Sequence, residues 1–268
     1  MSKQSYLRGS TSARATAALL ATTLVGCQAI SDSFSTSKSA PTPTVVTAAG
    51  DIGDVIASFR SLLGPDNGGA PGAKPSGRRE INWDGVPHDL AAPNFLPADV
   101  FNTATAPRAR GAHLTTPGSG LQASASAGNP TNTPPRFAHI NKSYSSIFKA
   151  YSGERLFSPV GSHIVDMTFR VPGTQTRALS RGFGAVYVDV DEPHTAFEYF
   201  DKDGKSLGRF SVPAADKGFS FLGVAFEQPI IARVRIEYGT KALGPDDGPG
   251  NDVAIMDDFI YGEPQAIP

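Results

Sequence analysis

The sequence predicts an all-β domain, an antiparallel β-sandwich preceded by one short N-terminal helix. Three observations predict this class. Gly and Pro together make up about 19 % of the 268 residues, which is typical of a chain with many turns. Hydrophobic residues are 40 % and charged residues 18 % of the chain, so it is too apolar to be disordered. Several segments alternate apolar and polar residues with the two-residue period of a β-strand.

The clearest alternation runs through residues 230–238, where apolar residues alternate with Arg233, Arg235 and Glu237. An Asp-Gly pair at 203–204 lies between two further apolar segments and is typical of a β-hairpin. At least seven such strands, joined by short connections, favour antiparallel pairing in two packed sheets. The segments that predict strands are residues 164–171, 185–191, 197–201, 207–212, 219–226, 230–238 and 253–261.

The first residues have the pattern of an export signal. Lys3, Arg8 and Arg14 precede an apolar stretch at 15–25 that is too short to span a bilayer as a helix. The stretch ends in Leu-Val-Gly-Cys at 24–27, which resembles the lipobox of bacterial lipoproteins, and Cys27 is the single cysteine of the chain. The resemblance implies a lipidated Cys27 at the new N-terminus and, because Gln28 is not aspartate, an outer-membrane location in the cell envelope. The alternative is an ordinary signal peptide with an incidental cysteine.

The chain is therefore divided into four parts. Residues 1–26 are the predicted signal peptide, and residues 27–50, rich in Ser, Thr, Ala and Pro, are a disordered tether. Residues 51–76 contain a helix at 51–63 and a Gly/Pro-rich linker. Residues 77–265 are the β-sandwich domain, on which the helix is expected to pack, since a lone helix of this length is marginal in water.

Three segments carry a resemblance to known proteins: residues 77–85 (GRREINWDG), 182–191 (GFGAVYVDVD) and 256–264 (MDDFIYGEP). Together they resemble a group of uncharacterised secreted bacterial proteins with the same order of segments, which implies no particular activity. More loosely, the pattern is similar to secreted jelly-roll modules, many of which bind carbohydrate and carry a structural calcium ion. The resemblance implies a sandwich of jelly-roll type.

Carboxylates in apolar strands are candidates for a calcium site, because Ca²⁺ takes six to eight oxygen ligands and a buried charge needs a partner. In the alternative interpretation, Asp189 and Asp191 face solvent, and Asp257 caps a turn or pairs with Arg233 or Arg235. The predicted ligands of a calcium ion that joins the first and last parts of the sandwich are Asp84, Asp189, Asp191, Asp257 and Asp258.

Glycan binding needs exposed aromatic rings for stacking on sugars. Tyr187 shares its predicted strand face with Asp189 and Asp191, so it is the predicted ligand-binding residue, whereas Trp83 is interpreted as a core residue. The other candidate aromatic residues are Tyr144, Tyr151 and Tyr199.

Catalytic and nucleotide-binding signatures are absent from the sequence. There is no His-Glu-x-x-His, no Gly-x-Ser-x-Gly and no phosphate-binding glycine loop. Glu192, Glu198 and Asp201 are the one set of carboxylates considered for glycoside cleavage. The net charge of −1 offers no basic surplus for nucleic acid, and Arg78-Arg79 is interpreted as a solvated surface pair.

These observations favour a non-catalytic binding module for a glycan or another extracellular polymer, held at the membrane by its lipid anchor and stabilised by calcium. Two alternatives remain open. The first is a structural envelope protein with protein partners, and the second is a secreted glycan-active enzyme. Nucleic acid is not an expected partner.

Overall fold

The structure, a computed structural model, describes residues 41–248 and 250–268 and consists mainly of β-strands. The predicted signal peptide, Cys27 and the first part of the tether lie outside the described residues. Two helices are present, α1 (Gly53–Leu63) and the short α2 (Tyr144–Ile147). The strands are β1 (Thr44–Ala49), β2 (Arg78–Ile81), β3 (Ala112–Thr115), β4 (Gly120–Ala123), β5 (Phe157–Val160), β6 (Ile164–Arg170), β7 (Arg177–Leu179), β8 (Gly182–Val190), β9 (Ala196–Phe200), β10 (Ser206–Ser211), β11 (Ala215–Ala225), β12 (Arg233–Glu237), β13 (Ile255–Gly262) and β14 (Gln265–Ala266).

Two antiparallel sheets of seven strands each pack face to face. The first sheet has the order β1-β11-β8-β13-β5-β4, with β2 beside β13. The second has the order β10-β9-β12-β6-β7-β14, with β3 beside β6. The predicted all-β antiparallel sandwich is thereby confirmed, and the predicted hairpin at Asp203-Gly204 joins β9 to β10.

Aromatic side chains fill the space between the sheets. Trp83 is fully buried and stacks on Phe157 with ring centroids 4.0 Å apart. Its ring also meets the edge of Phe259 at 5.1 Å, and its indole N–H donates to the backbone oxygen of Asp257 at 2.8 Å. The interpretation of Trp83 as a core residue agrees with this position, because a buried indole needs a hydrogen-bond acceptor.

The helix α1 covers the outer face of the first sheet, as the sequence predicted. Its buried residues are Ile56, Phe59 and Leu63. Phe59 lies over Gly184 and Gly223, where a Cβ atom would come within 2.9 and 2.7 Å of the phenylalanine ring. The two glycines therefore create the depression that receives this ring and let the helix approach the sheet closely.

The prediction of a disordered tether up to residue 50 is wrong for its last part. Residues Thr44–Ala49 form β1, which pairs along its whole length with β11. Val46 and Ala48 pack toward α1, whereas Val45 is 42 % exposed. The β-branched residues of this Pro-flanked segment support an edge strand, and the Ser/Thr-rich composition concealed it.

The Gly/Pro-rich segment after α1 is not a linker. It folds around the guanidinium of Arg79, which is fully buried against Glu263 with Nε and Nη2 donating to the carboxylate at 2.7 and 2.8 Å. The interpretation of Arg78-Arg79 as a solvated pair is therefore wrong for Arg79. Four backbone oxygens accept its remaining N–H groups, those of Gly68, Ala70, Gly72 and Ala109.

No helix within residues 41–248 and 250–268 is both long and apolar enough to cross a membrane.

The Arg79–Glu263 pair provides a test of what holds the two ends of the domain together. We expect Glu263→Gln to lower the free energy of unfolding by about 3–5 kcal/mol, because it leaves a buried guanidinium without its counter-charge. Urea denaturation of the variant and the wild type measures the difference. The control is Glu227→Gln, the same change at an exposed loop residue, which should stay within about 0.5 kcal/mol of the wild type. A loss for Glu263→Gln as small as that of the control would contradict the prediction.

Candidate metal centre

An acidic pocket of about 410 Å³ lies where β8 leaves the first sheet. The carboxylates of Asp189, Asp191 and Asp216 each offer one oxygen, and these three oxygens lie within 4.8 Å of one another. The residues that line the pocket are Asp191, Glu192, Asp216, Lys217, Gly248, Gly250 and Asp252.

A bulge between β8 and β11 brings these carboxylates together. The pairing register shifts between Ala215 and Phe219, which marks extra residues in one strand. Asp189 has φ +64°, in the left-handed region that non-glycine residues rarely adopt. The backbone N–H of Lys217 donates to Asp189 Oδ1 at 2.7 Å. The bulge therefore places Asp216 beside the end of β8 and turns Asp189 toward it.

Asp252 holds the other side of the pocket. Its two carboxylate oxygens accept from the backbone N–H groups of Asp191 and Glu192 at 3.4 and 3.3 Å. Its own backbone oxygen accepts from the N–H groups of Thr240 and Lys241. The loop before β13 is thereby joined to the end of β8, so three separate parts of the chain converge on the pocket.

Burial makes the negative charge of this pocket costly. It raises the pKa of Asp189 to about 7, an effect that the Lys217 N–H opposes and the charge of Asp191 increases. Burial also raises the pKa of Asp252 to about 6 and that of Asp191 above its ordinary value. The nearby ammonium of Lys217 binds Asp216 at 3.0 Å. Several carboxylates facing a single ammonium group form the kind of oxygen-rich environment that hard divalent cations prefer.

Only two of the five predicted calcium ligands lie in this cluster. Asp84, Asp257 and Asp258 belong to no carboxylate cluster of metal-binding dimensions within the described part of the chain. Asp84 Oδ1 accepts from the N–H groups of Glu154 and Arg155. The predicted five-residue site is therefore wrong, because the carboxylates of β13 and of residue 84 bind another loop.

That loop precedes β5, and Asp257 caps it. Asp257 Oδ2 accepts from the N–H groups of Tyr151 and Ser152 at 2.6 and 3.2 Å, which agrees with the alternative of a turn cap. Arg233 and Arg235 pair with Asp166 instead. Burial and the charge of neighbouring Asp258 raise the pKa of Asp257.

Tyr187 is not an exposed binding residue. It is fully buried between the sheets, and its hydroxyl donates to the backbone oxygen of Glu237 at 2.9 Å. Val186 and Val188, on the other face of the strand, are buried too, in the layers that cover the outer side of the sheet. Since β8 is covered on both faces, its alternation does not identify a solvated side.

The other candidate aromatic residues do not form a sugar platform either. Tyr144 and Tyr199 are fully buried. Tyr151 is half-buried and packs edge-on against Phe219 at 5.6 Å.

The three carboxylates considered for glycoside cleavage have separate roles. Glu192 belongs to the acidic pocket. Glu198 accepts from the hydroxyl of Ser206. Asp201 Oδ1 accepts from two N–H groups of the β9–β10 turn.

Sequence reasoning missed Asp216 and Asp252. Asp216 lies in an Asp-Lys-Gly segment that precedes the apolar part of β11, and the positive φ of Lys217 (49°) belongs to the same bulge. The Asp-Lys-Gly composition is a turn signal, but only the pairing of β11 with β8 shows that it faces Asp189.

The buried Asp257 makes a prediction about pH. Folding raises the pKa of Asp257, so between the unfolded and the folded pKa the folded state retains a proton that the unfolded chain releases. The free energy of unfolding therefore falls as pH rises between these two values. We expect Asp257→Asn to fold and to weaken this fall between about pH 5 and pH 7, since an amide oxygen can still accept from Tyr151 and Ser152. Urea denaturation across this interval measures the slope. The control, Asp203→Asn at the exposed hairpin tip, should keep the slope of the wild type. An unchanged slope in Asp257→Asn would contradict the assignment.

Comparison with known proteins adds no family to this geometry. No family model matches the chain, and no curated protein or solved structure was found to be similar to it.

Proposed function

We propose that this chain is a membrane-anchored, non-catalytic binding module for a glycan or another extracellular polymer, stabilised by a calcium ion at Asp189, Asp191 and Asp216. The observation that carries the calcium proposal is the convergence of three carboxylate oxygens within 4.8 Å of one another, two of them from residues that line the acidic pocket. The placement of Asp189 is a second, independent support. It is only 3 % exposed, and among the described residues its hydrogen bonding involves Oδ1 and leaves Oδ2 available to a cation.

Calcium suits the pocket better than smaller cations do. Ca²⁺ accepts six to eight oxygen ligands in flexible geometry, whereas Mg²⁺ requires a near-ideal octahedron and is reluctant to lose water. The pocket is open and irregular, and carboxylates converge on it from β8, β11 and the loop that contains Asp252. An ion bound there would cross-link these segments and offset their mutual repulsion.

The topology supports the finer proposal that the sandwich is a jelly roll. The eight central strands in chain order are β5, β6, β8, β9, β10, β11, β12 and β13. If these are counted from one to eight, the first sheet has the order 1-8-3-6 and the second has the order 2-7-4-5. That interleaving is the pattern of two Greek keys wrapped into a jelly roll, an architecture common among secreted lectin-like domains.

The lipid anchor is proposed from the sequence alone. The basic start, the short apolar stretch and Cys27 together support acylation of that cysteine, and several acyl chains give stable membrane attachment where one does not. The 16 residues between Cys27 and Thr44, the first residue of β1, would then link the anchor to the sandwich.

Calcium should stabilise the folded chain. We expect the Tm of the full chain carrying Cys27→Ser to rise with millimolar calcium and to fall with EDTA, because a ligand that binds only the native state stabilises it by mass action. Differential scanning fluorimetry measures the shift.

Matched variants locate the effect. Asp189→Asn should remove the calcium-dependent rise in Tm, whereas Asp203→Asn, at the exposed β9–β10 turn, should retain it. A wild-type chain whose Tm responds to neither calcium nor EDTA would end the metal proposal. A response that survives Asp189→Asn would move the ion to another site.

The anchor has its own test in cells. We expect Cys27→Ser to move the protein from the membrane fraction to the soluble fraction, because the variant cannot be acylated at that position. Fractionation followed by immunoblotting measures the distribution, and Ser37→Ala in the same segment serves as the control. Membrane association that persists in Cys27→Ser would contradict the proposal that acylated Cys27 anchors the protein.

A further inference from the structure

The outer face of the second sheet differs from that of the first. Helix α1 and residues 137–156 cover the first sheet, whereas the outward side chains of β6, β7, β3 and β12 are charged or polar and partly exposed. We call this surface, together with the outward side of β9, the open face, and its charged residues and histidine are His113, Asp166, Arg170, Arg177, Glu198, Arg233, Arg235 and Glu237.

Two arginines stand directly opposite each other on the open face. Arg170 of β6 and Arg177 of β7 are register partners in an antiparallel pair, so their side chains lie on the same side. Like charges in this relation destabilise a sheet. Neither residue takes part in an ion pair within the described part of the chain. Burial, followed by the charge of Arg177, lowers the pKa of Arg170, which agrees with uncompensated repulsion.

The neighbouring side chains do not neutralise this pair. Arg233 and Arg235 share the carboxylate of Asp166, at 2.8 and 2.9 Å, and Arg235 is also the register partner of Glu198, so the charges of these four side chains balance one another. The guanidinium of Arg233 also lies over the ring of Phe200, 3.7 Å from its centroid, which fixes its orientation. His113 of β3 is the register partner of Thr168 of β6, so the two side chains lie on the same face. The unbalanced positive charge of the open face therefore lies at Arg170 and Arg177, in a chain whose net charge is −1.

We propose that the open face binds a carboxylated polysaccharide, with Arg170 and Arg177 as the site for a carboxylate of the polymer. This inference rests on the proposed function and names the class of its ligand. Guanidinium groups bind carboxylates through paired N–H donors, and an anion between Arg170 and Arg177 would attract both groups and offset their mutual repulsion.

The acidic residues of the same face favour a polysaccharide over a nucleic acid. Asp166, Glu198 and Glu237 are interspersed with the arginines on the outward sides of β6, β9 and β12. They repel a backbone that carries a phosphate at every unit, but their oxygens can accept hydrogen bonds from sugar hydroxyls. A polymer with both hydroxyls and spaced carboxylates matches this alternation.

The test uses the full chain carrying Cys27→Ser, with hyaluronan as the carboxylated probe, dextran as the neutral one and duplex DNA as the phosphate polymer. We expect hyaluronan to bind most tightly by isothermal titration calorimetry at low salt. Arg170→Gln and Arg177→Gln should each weaken that binding about tenfold or more, the loss typical of a charged hydrogen bond. Lys142→Gln removes one positive charge from an exposed residue away from the open face and should bind as the wild type does. Unchanged Tm values would show that the variants fold.

The outcomes separate the two proposals. Hyaluronan binding that the two arginine variants leave unchanged would overturn the site. Tighter binding to DNA would assign the open face to a phosphate polymer and overturn the ligand class. Binding to dextran alone would preserve the binding module and overturn the anionic ligand. No binding to either glycan would overturn this inference and count against the glycan-binding function, while the calcium response would still be tested by the Tm measurement.

Discussion

The buried ion pair between Arg79 and Glu263 is the contact on which the closure of the domain depends. It joins β2, near the start of the sandwich, to the residue that follows β13. The segment between α1 and β2 wraps around it, and Asn67 Nδ2 and the Lys74 N–H also donate to the carboxylate. Because every polar group of the pair has a hydrogen-bond partner, these bonds and the opposite charge offset the desolvation penalty that makes an isolated buried charge unfavourable. A charged contact of this kind specifies one path for a glycine-rich segment that has few apolar side chains.

The sequence predicted the elements that local pattern controls and missed those that depend on distant partners. Alternation predicted β6 and β12, and the Asp-Gly pair predicted the β9–β10 hairpin, because each of these signals lies within a few residues. The role of Arg79 could not be predicted, since Glu263 lies 184 residues away. The edge strand β1 was missed for a similar reason. Its Ser/Thr-rich surroundings resemble a linker, and only its pairing with β11 identifies it.

The candidate site shows the same division. The sequence placed Asp189 and Asp191 on one strand, and the structure brings them into one acidic cluster. It assigned Tyr187 to the same strand face as these aspartates because it assumed an unbroken two-residue period. The backbone changes conformation at Asp189, where φ is positive, so Tyr187 points into the core while Asp189 and Asp191 come close to Asp216. A local change of backbone conformation therefore separates Tyr187, whose predicted exposure was wrong, from Asp189 and Asp191, which do lie in one carboxylate cluster.

A net charge of −1 predicts no polyanionic partner, but the charges of the folded chain are unevenly distributed over its surface. Acidic residues gather at the pocket between β8 and β11, whereas Arg170 and Arg177 stand together on the opposite sheet. Interactions between exposed charges decay over about 8–10 Å at physiological ionic strength. A ligand at the open face therefore experiences the local arginines more strongly than the acidic pocket. A net charge near zero excludes a uniformly basic surface, but it does not exclude a basic face balanced by an acidic site elsewhere on the same domain.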